Sequence, residues 1–214
     1  MIQNRRTTVA ETTISNRRAQ TRERLIIAAQ EAIVERGVAA ASVEYICETA
    51  GFTRGAFYSN FADKDDLMAA LAHHWFAEQL QRAQGAIAEA TAGAGVGIDD
   101  IPAAVRLFMD VHAMSPDWGI LTLELRLHAL RTPEFRTVFA EAEAGIAGVI
   151  GTMLTEALAD NGLELSIEPA DALTILASLF TFVRTDARGR TETIEQQLSN
   201  ALVTLVRPMK SASS

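Results

Sequence analysis

Between Arg36 and Leu67 the 214-residue chain stops and restarts a helix three times, and few folds accommodate that punctuation. Leu25, Ile26, Ala29 and Ile33 recur at helical spacing from Thr21 onward, and Gly37 supplies the stop. Ser42 is an N-cap for a short helix with Val43, Ile46 and Ala50 on its apolar face. Gly51 ends that helix where a tight turn needs positive φ. Thr53 caps a third helix carrying Ala56, Phe57 and Phe61. Asp63 caps a fourth, running from Lys64 through Leu67, Leu71, Trp75 and Leu80. Two short helices joined by Ala50-Gly51-Phe52-Thr53 make a helix-turn-helix layout, with Phe52 anchored against Val43, Ile46 and Phe57.

The rest of the chain also reads as helix. After a Gly-rich stretch at 91–100, expected to be a loop, helices are predicted near 102–113, 116–131, 133–161, 168–187 and 191–206. Ser115-Pro116, Thr132-Pro133, Asn161-Gly162 and Gly189 separate them. No period-2 strand pattern persists, so the expected fold class is all-α. Residues 1–20 lack an apolar period and are expected to be a flexible basic arm carrying Arg5, Arg6, Arg17 and Arg18.

Charge is uneven. Residues 1–62 hold eight Lys/Arg and six Asp/Glu, whereas the remainder holds 11 and 21, so an end of net +2 joins an acidic body. That suggests that one end alone meets a polyanion. Cys47 is the only cysteine, which excludes an intrachain disulfide and suits a reducing cytosol. The apolar run around Leu173–Val183 is too short to cross a bilayer, so a cytoplasmic protein is expected. An enzyme is not expected: there is no His-Glu-x-x-His, cysteine pair or nucleophile elbow. Adjacent His73 and His74 point about 100° apart on a helix and cannot share a metal. No metal or cofactor is expected, and Cys47 reads as a buried, inert thiol.

The layout places Thr53, Arg54 and Gly55 at the exposed N-terminus of the third helix, where this motif faces base edges. Arg54 has the donors for bidentate reading of guanine, and Gly55 lets a backbone come close. Tyr58, Asn60 and Lys64 offer hydroxyl, amide and ammonium groups to phosphates. Residues 21–67 resemble the DNA-binding domain of the TetR family of repressors. The likeness rests on Thr21-Arg22, Ala28-Ala29, Arg36-Gly37, Ser42-Val43, Ile46, Ala50-Gly51, Arg54-Gly55, Tyr58, Phe61, Lys64 and Leu67. Departures from the family pattern are Ala41, Cys47 and Phe57. The resemblance implies base contacts from Arg54 and Gly55 and phosphate contacts from Ser42, Thr53, Tyr58 and Lys64.

It further implies a homodimer, with an N-terminal three-helix DNA-binding domain (21–66), an effector-binding and dimerisation domain (67–207) and a tail (208–214). Helix 116–131 is apolar nearly all round, with Trp118, Leu121 and Leu125 on one stripe and Ile120, Leu123, Leu127 and Leu130 on another. It is therefore expected to be buried on both sides. Glu124, His128 and Arg131 form a polar edge, read as an ion-pair cluster, pocket contacts or a surface stripe. Leu173, Leu176, Phe180, Val183, Ile194, Leu198, Leu202 and Leu205 are the expected dimer interface. Trp75, Phe108, Met109, His112, Trp118, Leu121, Leu125, His128, Met153 and Phe180 are candidates for the pocket of a mostly apolar effector. The function expected is a repressor released from a palindromic operator by such an effector. The alternatives are a constitutive or activating DNA-binding regulator without ligand control, a helical adaptor, or an enzyme.

Overall fold

The structure, a computed structural model, describes the backbone of residues 3–91, 97–103, 105–106, 117–185 and 191–209. Within these it describes the side chains of 16–89, 97–103, 105–106, 117–179 and 196–209. Helix α1 spans Gln3–Ala40, α2 Val43–Ala50, α3 Arg54–Tyr58 and α4 Lys64–Thr91. A 3-10 turn at Ile98–Asp100 leads into helical residues at 101–103 and 105–106. Then come α5 (Asp117–Arg131), α6 (Pro133–Ala159), β1 (Leu163–Leu165), α7 (Pro169–Thr185), α8 (Thr191–Leu205) and β2 (Val206–Pro208).

The chain divides into two compact units. One is the chain up to His74 with Ile120–Phe139; the other is Trp75–Gly119 with the chain from Ala140 onward. Helix α4 runs without a break through the boundary expected after residue 66. In the first unit α1 packs on α2, and α2 on α3. Leu25, Ala29, Ile33, Ile46, Phe57, Leu67 and Leu71 are fully buried there, each large apolar side chain contributing about 1.5–3 kcal/mol.

The expected break after α1 lies where the sequence puts it. Gly37 has φ 76° and ψ 161°, non-helical values inside an otherwise helical run, which a residue with a Cβ adopts only under strain. The next peptide is held from two helices. The Val38 N–H donates to Glu124 Oε2 of α5 at 2.8 Å. The Val38 carbonyl accepts from the Lys64 ammonium at the start of α4. A Cβ on Gly37 would lie 3.2 Å from the Glu124 carboxylate oxygens, so the glycine also makes room for this acceptor.

Three expectations gain detail. First, the segment expected to be a flexible basic arm has helical backbone from Gln3, continuous with the expected helix from Thr21. Side chains before Asn16 lie outside the described residues, Arg5 and Arg6 among them. Second, α5 is buried on one stripe only. Leu121 and Leu125 are fully buried, whereas Ile120, Leu123, Leu127 and Leu130 are exposed, Leu130 by 71%. Third, the fold is all-α as expected, apart from one short ribbon. In the second unit β1 and β2 form a short antiparallel ribbon that pairs Leu163 with Pro208, Glu164 with Arg207 and Leu165 with Val206. Arg207 Nε reinforces it by binding Glu164 Oε1 at 2.8 Å. Three-residue strands are too short to show a period of two. The ribbon exists because chain folding brings together segments far apart in sequence, beside Gly162, which has φ 69°.

The core of the second unit is built from Ile101, Val105, Leu158, Leu163, Leu198 and Val206. Ile98, Trp118, Leu154, Leu165, Leu176, Leu179 and Leu202 pack against it. Helix α6 has the length and mean hydropathy (1.3) of a bilayer-crossing segment, unlike the shorter run around Leu173 singled out in the sequence. Such a helix is equally at home in a helical bundle that presents an apolar face.

Gly37→Ala is expected to lower stability by about 1–3 kcal/mol through backbone strain alone, read as a shift of the urea midpoint. A second test concerns His128, one turn beyond Glu124. Burial holds its imidazole below the ordinary value; nearby Asp65 pulls it up and Lys64 pushes it down. The folded chain therefore binds fewer protons here than the unfolded chain once pH drops below about 6.5, and stability falls with it. His128→Asn should flatten that decline in urea midpoints measured from about pH 7 to pH 5.

Candidate nucleic-acid interface

Helix α2 begins at Ser42, whose hydroxyl accepts from the Tyr45 N–H, and ends at Gly51, which is left-handed at φ 69°. The Gly51 and Phe52 N–H groups bind the Glu48 and Cys47 carbonyls, closing the helix. Thr53 caps α3 by accepting from the Ala56 N–H. Asp63 caps α4 by accepting from the Asp66 N–H. All four signals read in the sequence form here as expected.

The sequence did not show how the turn is tied to α1. Arg24 donates to the Ala50 carbonyl at the end of α2. Arg18 and Arg22 donate to the Ser59 and Asn60 carbonyls after α3. Each guanidinium satisfies a helix-end carbonyl that has no partner within its own helix. The ring faces are used too: Arg22 lies over Phe61 and Arg24 over Phe52, 4.3 and 4.5 Å from the centroids. Much of the basic character near the N-terminus is thus occupied in building the motif. The i, i+4 spacing of Arg18 and Arg22 was the available signal. Arg36 behaves similarly, stacking 3.6 Å from the Tyr45 ring, whose hydroxyl donates to Glu35. That hydrogen bond lowers the Glu35 carboxyl and raises the Tyr45 phenol from their ordinary values.

The residues expected to meet DNA divide into two sets. Ser42, Thr53, Arg54, Gly55 and Tyr58 are exposed, with Tyr58 at 51%. The Ser42 and Thr53 hydroxyls accept from their own helices, which leaves each O–H able to donate outward. A Cβ at Gly55 would meet nothing closer than Thr53 Oγ1 at 3.6 Å, an ordinary contact. The fold therefore does not require glycine there. Arg54 binds Glu44 Oε1 through Nη1 at 2.7 Å, and its Nη2 lies 3.5 Å from the Tyr58 hydroxyl. The Tyr58 hydroxyl and then the Glu44 charge hold the guanidinium above its ordinary pKa.

Asn60 and Lys64 are half-buried and engaged. Asn60 Nδ2 donates to the Ala56 carbonyl at 2.8 Å, so its amide closes α3 instead of facing outward. The Lys64 ammonium sits on the Val38 carbonyl, and burial lowers its pKa. Cys47 is buried, its thiol 3.7 Å from the Thr53 carbonyl and its pKa raised chiefly by burial, in keeping with an inert thiol. Glu44 was not among the residues singled out from the sequence. No motif marks a carboxylate that acts by holding an arginine on the next helix.

The described pocket candidates are divided between the two units, Leu121, Leu125 and His128 in the first and Trp75, Trp118 and Met153 in the second. Trp75 is buried and its ring lies 5.8 Å from that of Trp118, whose indole donates to Gln79 at 2.8 Å. Leu121 and Leu125 are core, and Met153 is half-buried. His128 packs on Phe135, with ring centroids 4.7 Å apart, while Glu124 serves the Val38 N–H. Glu124 and His128 of the polar edge of α5 thus make contacts within the fold, while Arg131 is exposed. Phe108, Met109, His112 and the Phe180 side chain lie outside the described residues. Two shallow concavities do occur, one of about 380 Å³ along Glu78–Glu89 and one of about 560 Å³ beside Gly151, Thr155 and Pro169. None of the candidates lines either.

Part of the expected dimer surface lies among the described side chains. Leu176, Leu198 and Leu202 belong to the protomer's own core, and Leu173 packs on Gly151. Among the described residues, the large apolar side chains exposed on these helices are Ile175 and Val203. An apolar stripe read from sequence identifies a buried face without saying which neighbour buries it. The side chains of Phe180, Val183 and Ile194 lie outside the described residues, and Leu205 is half-buried.

Residues 25–71 match the family model for bacterial regulatory proteins of the tetR family. An uncharacterized HTH-type transcriptional regulator of Mycobacterium bovis is 34% identical over 122 residues, 57% of this chain and 59% of that protein. The HTH-type transcriptional repressor BepR of Brucella suis is 42% identical over 53 residues, 25% of each chain. The matched segments thus span less than two thirds of these curated relatives. A solved structure described as a TetR-family transcriptional regulator, from Mesorhizobium loti, shares the fold. Its TM-score is 0.72 at 18% identity, covering 88% of this chain and 96% of that one. The helix-turn-helix segment of this chain thus matches the tetR family of bacterial regulatory proteins, and the chain shares the fold of solved TetR-family structures.

Proposed function

We propose that this chain is a cytoplasmic, homodimeric repressor that reads duplex DNA with the N-terminus of α3 and releases it on binding a small, mostly apolar effector. The observation that carries the DNA-binding part is the Thr53-Arg54-Gly55 corner. It is exposed and capped, and its glycine has no internal reason to be there. In this reading Arg54 meets a guanine edge, Gly55 admits the DNA backbone or a base, and Ser42, Thr53 and Tyr58 hold phosphates. Asn60 and Lys64 act one step back, the first by ending α3 and the second by holding Val38. Repression is supported by BepR, a repressor by name, which matches over the DNA-binding segment. Effector control rests on the family resemblance and on the apolar character of the second unit.

A palindromic site is read by two copies related by a two-fold axis. The outward-facing Ile175 of α7 and Val203 of α8 are the residues proposed to meet their counterparts. Val203→Asp should give a helical monomer by light scattering and circular dichroism. Leu198→Asp, which places a charge in the protomer's core, should lose helicity as well. A dimeric Val203→Asp protein would refute this interface.

DNA recognition is tested with duplexes selected by the protein from a random pool, and with a scrambled duplex of equal length. Gly55→Ala should leave folding intact or stabilise it by up to about 1 kcal/mol, since alanine favours helix, yet weaken binding to the selected duplex. Arg54→Ala should cost about 1–3 kcal/mol per half-site and relax preference at one base pair. Unchanged binding by both variants would overturn the placement of α3.

A further inference from the structure

We propose that Glu44 is a specificity-determining residue, which holds the Arg54 guanidinium by one edge so that sequence-matched DNA alone engages it without stranding a carboxylate. This rests on the reading of α3 as the recognition helix. Glu44 lies in the first turn of α2, and Arg54 is the first residue of α3. Their contact is Nη1 to Oε1 at 2.7 Å, and both side chains are more than half exposed. On the other side the Arg54 guanidinium lies 5.9 Å from the Tyr58 ring centroid, with Nη2 at 3.5 Å from the hydroxyl. The arginine that carries the base-reading role is therefore oriented between an acid and an aromatic ring.

The consequence follows from donor arithmetic. A guanidinium has five N–H donors, and a guanine edge needs two. Arg54 can keep Glu44 on Nη1 and still present a donor pair to guanine. On a mismatched duplex the strongest available partner is a phosphate. Swinging Arg54 to that phosphate leaves the Glu44 carboxylate unpaired beside a polyanion, a repulsive contact that works against the wrong partner. Glu44 thus weakens binding to random DNA more than binding to the matched site. Its carboxyl is already held below the ordinary range, first by a backbone hydrogen bond and then by the Arg54 charge, so it is ionised when DNA approaches.

The experiment compares wild type, Glu44→Gln, Arg54→Ala and the double variant on the selected and scrambled duplexes, each at fixed salt, with circular dichroism as the folding control. Glu44→Gln is expected to raise affinity for the scrambled duplex by about fivefold, the order of one screened charge contact, and to raise it less on the selected one. The ratio of the two affinities therefore falls. In the Arg54→Ala background the same change should leave the ratio unaltered. Equal gains on both duplexes would reduce Glu44 to general repulsion and overturn the proposal. So would a ratio that still shifts without Arg54. A wild-type protein that enriches no duplex from the pool would instead overturn the DNA-reading function itself.

Discussion

The peptide at Val38 is the constraint on which the DNA-binding end depends. Its N–H is taken by Glu124 and its carbonyl by Lys64, so one residue of α1, just past the kink at Gly37, is held by α4 and α5 together. Hydrogen bonds with a charged partner contribute about 1.5–3 kcal/mol each, more than neutral ones. Gly37 makes this possible by turning the chain through a conformation that other residues resist, at a point where a side chain would crowd the carboxylate. The orientation of α2, and through it of α3, follows from that clamp.

A second theme is the use of arginine as structural material. Arg18, Arg22 and Arg24 each bind a carbonyl at or just past a helix end with a donor from α1, and Arg22 and Arg24 also lay their guanidinium planes on Phe61 and Phe52. A short helix such as α3 has few internal hydrogen bonds and little stability of its own. Its persistence depends on caps at both ends and on the burial of Phe57 beside Phe61. Basic composition near the N-terminus thus has two origins, and the structural one accounts for most of the arginines whose contacts are described. The groups left facing outward are fewer and more specific: two hydroxyls, one phenol, one guanidinium and a bare glycine.

The helix-turn-helix was legible in the sequence almost residue by residue, and the body was not. Ser42, Gly51, Thr53 and Asp63 act through contacts no more than four residues away, and each formed as read. Asn60 and Lys64 were assigned to phosphates because their chemistry fits, but Asn60 turns back to the Ala56 carbonyl and Lys64 reaches the distant Val38 carbonyl. The stripe on α5 shows the same limit: Leu121 and Leu125 are buried while Leu127 and Leu130 are exposed, though all four are leucine. Likewise Leu198 and Val203 lie five positions apart on α8, yet the one is core and the other surface.

What the sequence determined by itself is local: where helices start and stop, which turn needs glycine, and the helix-turn-helix that marks the TetR family. These are set by φ/ψ preference and by the nearest backbone groups, which travel with the residue type. The tertiary structure alone decided the acceptor for the Val38 N–H, the ribbon between Leu163–Leu165 and Val206–Pro208, the ion pair of Glu44 with Arg54, and which apolar stripe became core. Each joins groups on different elements, and side-chain chemistry fixes that a carboxylate seeks a donor without fixing which donor the fold brings within reach.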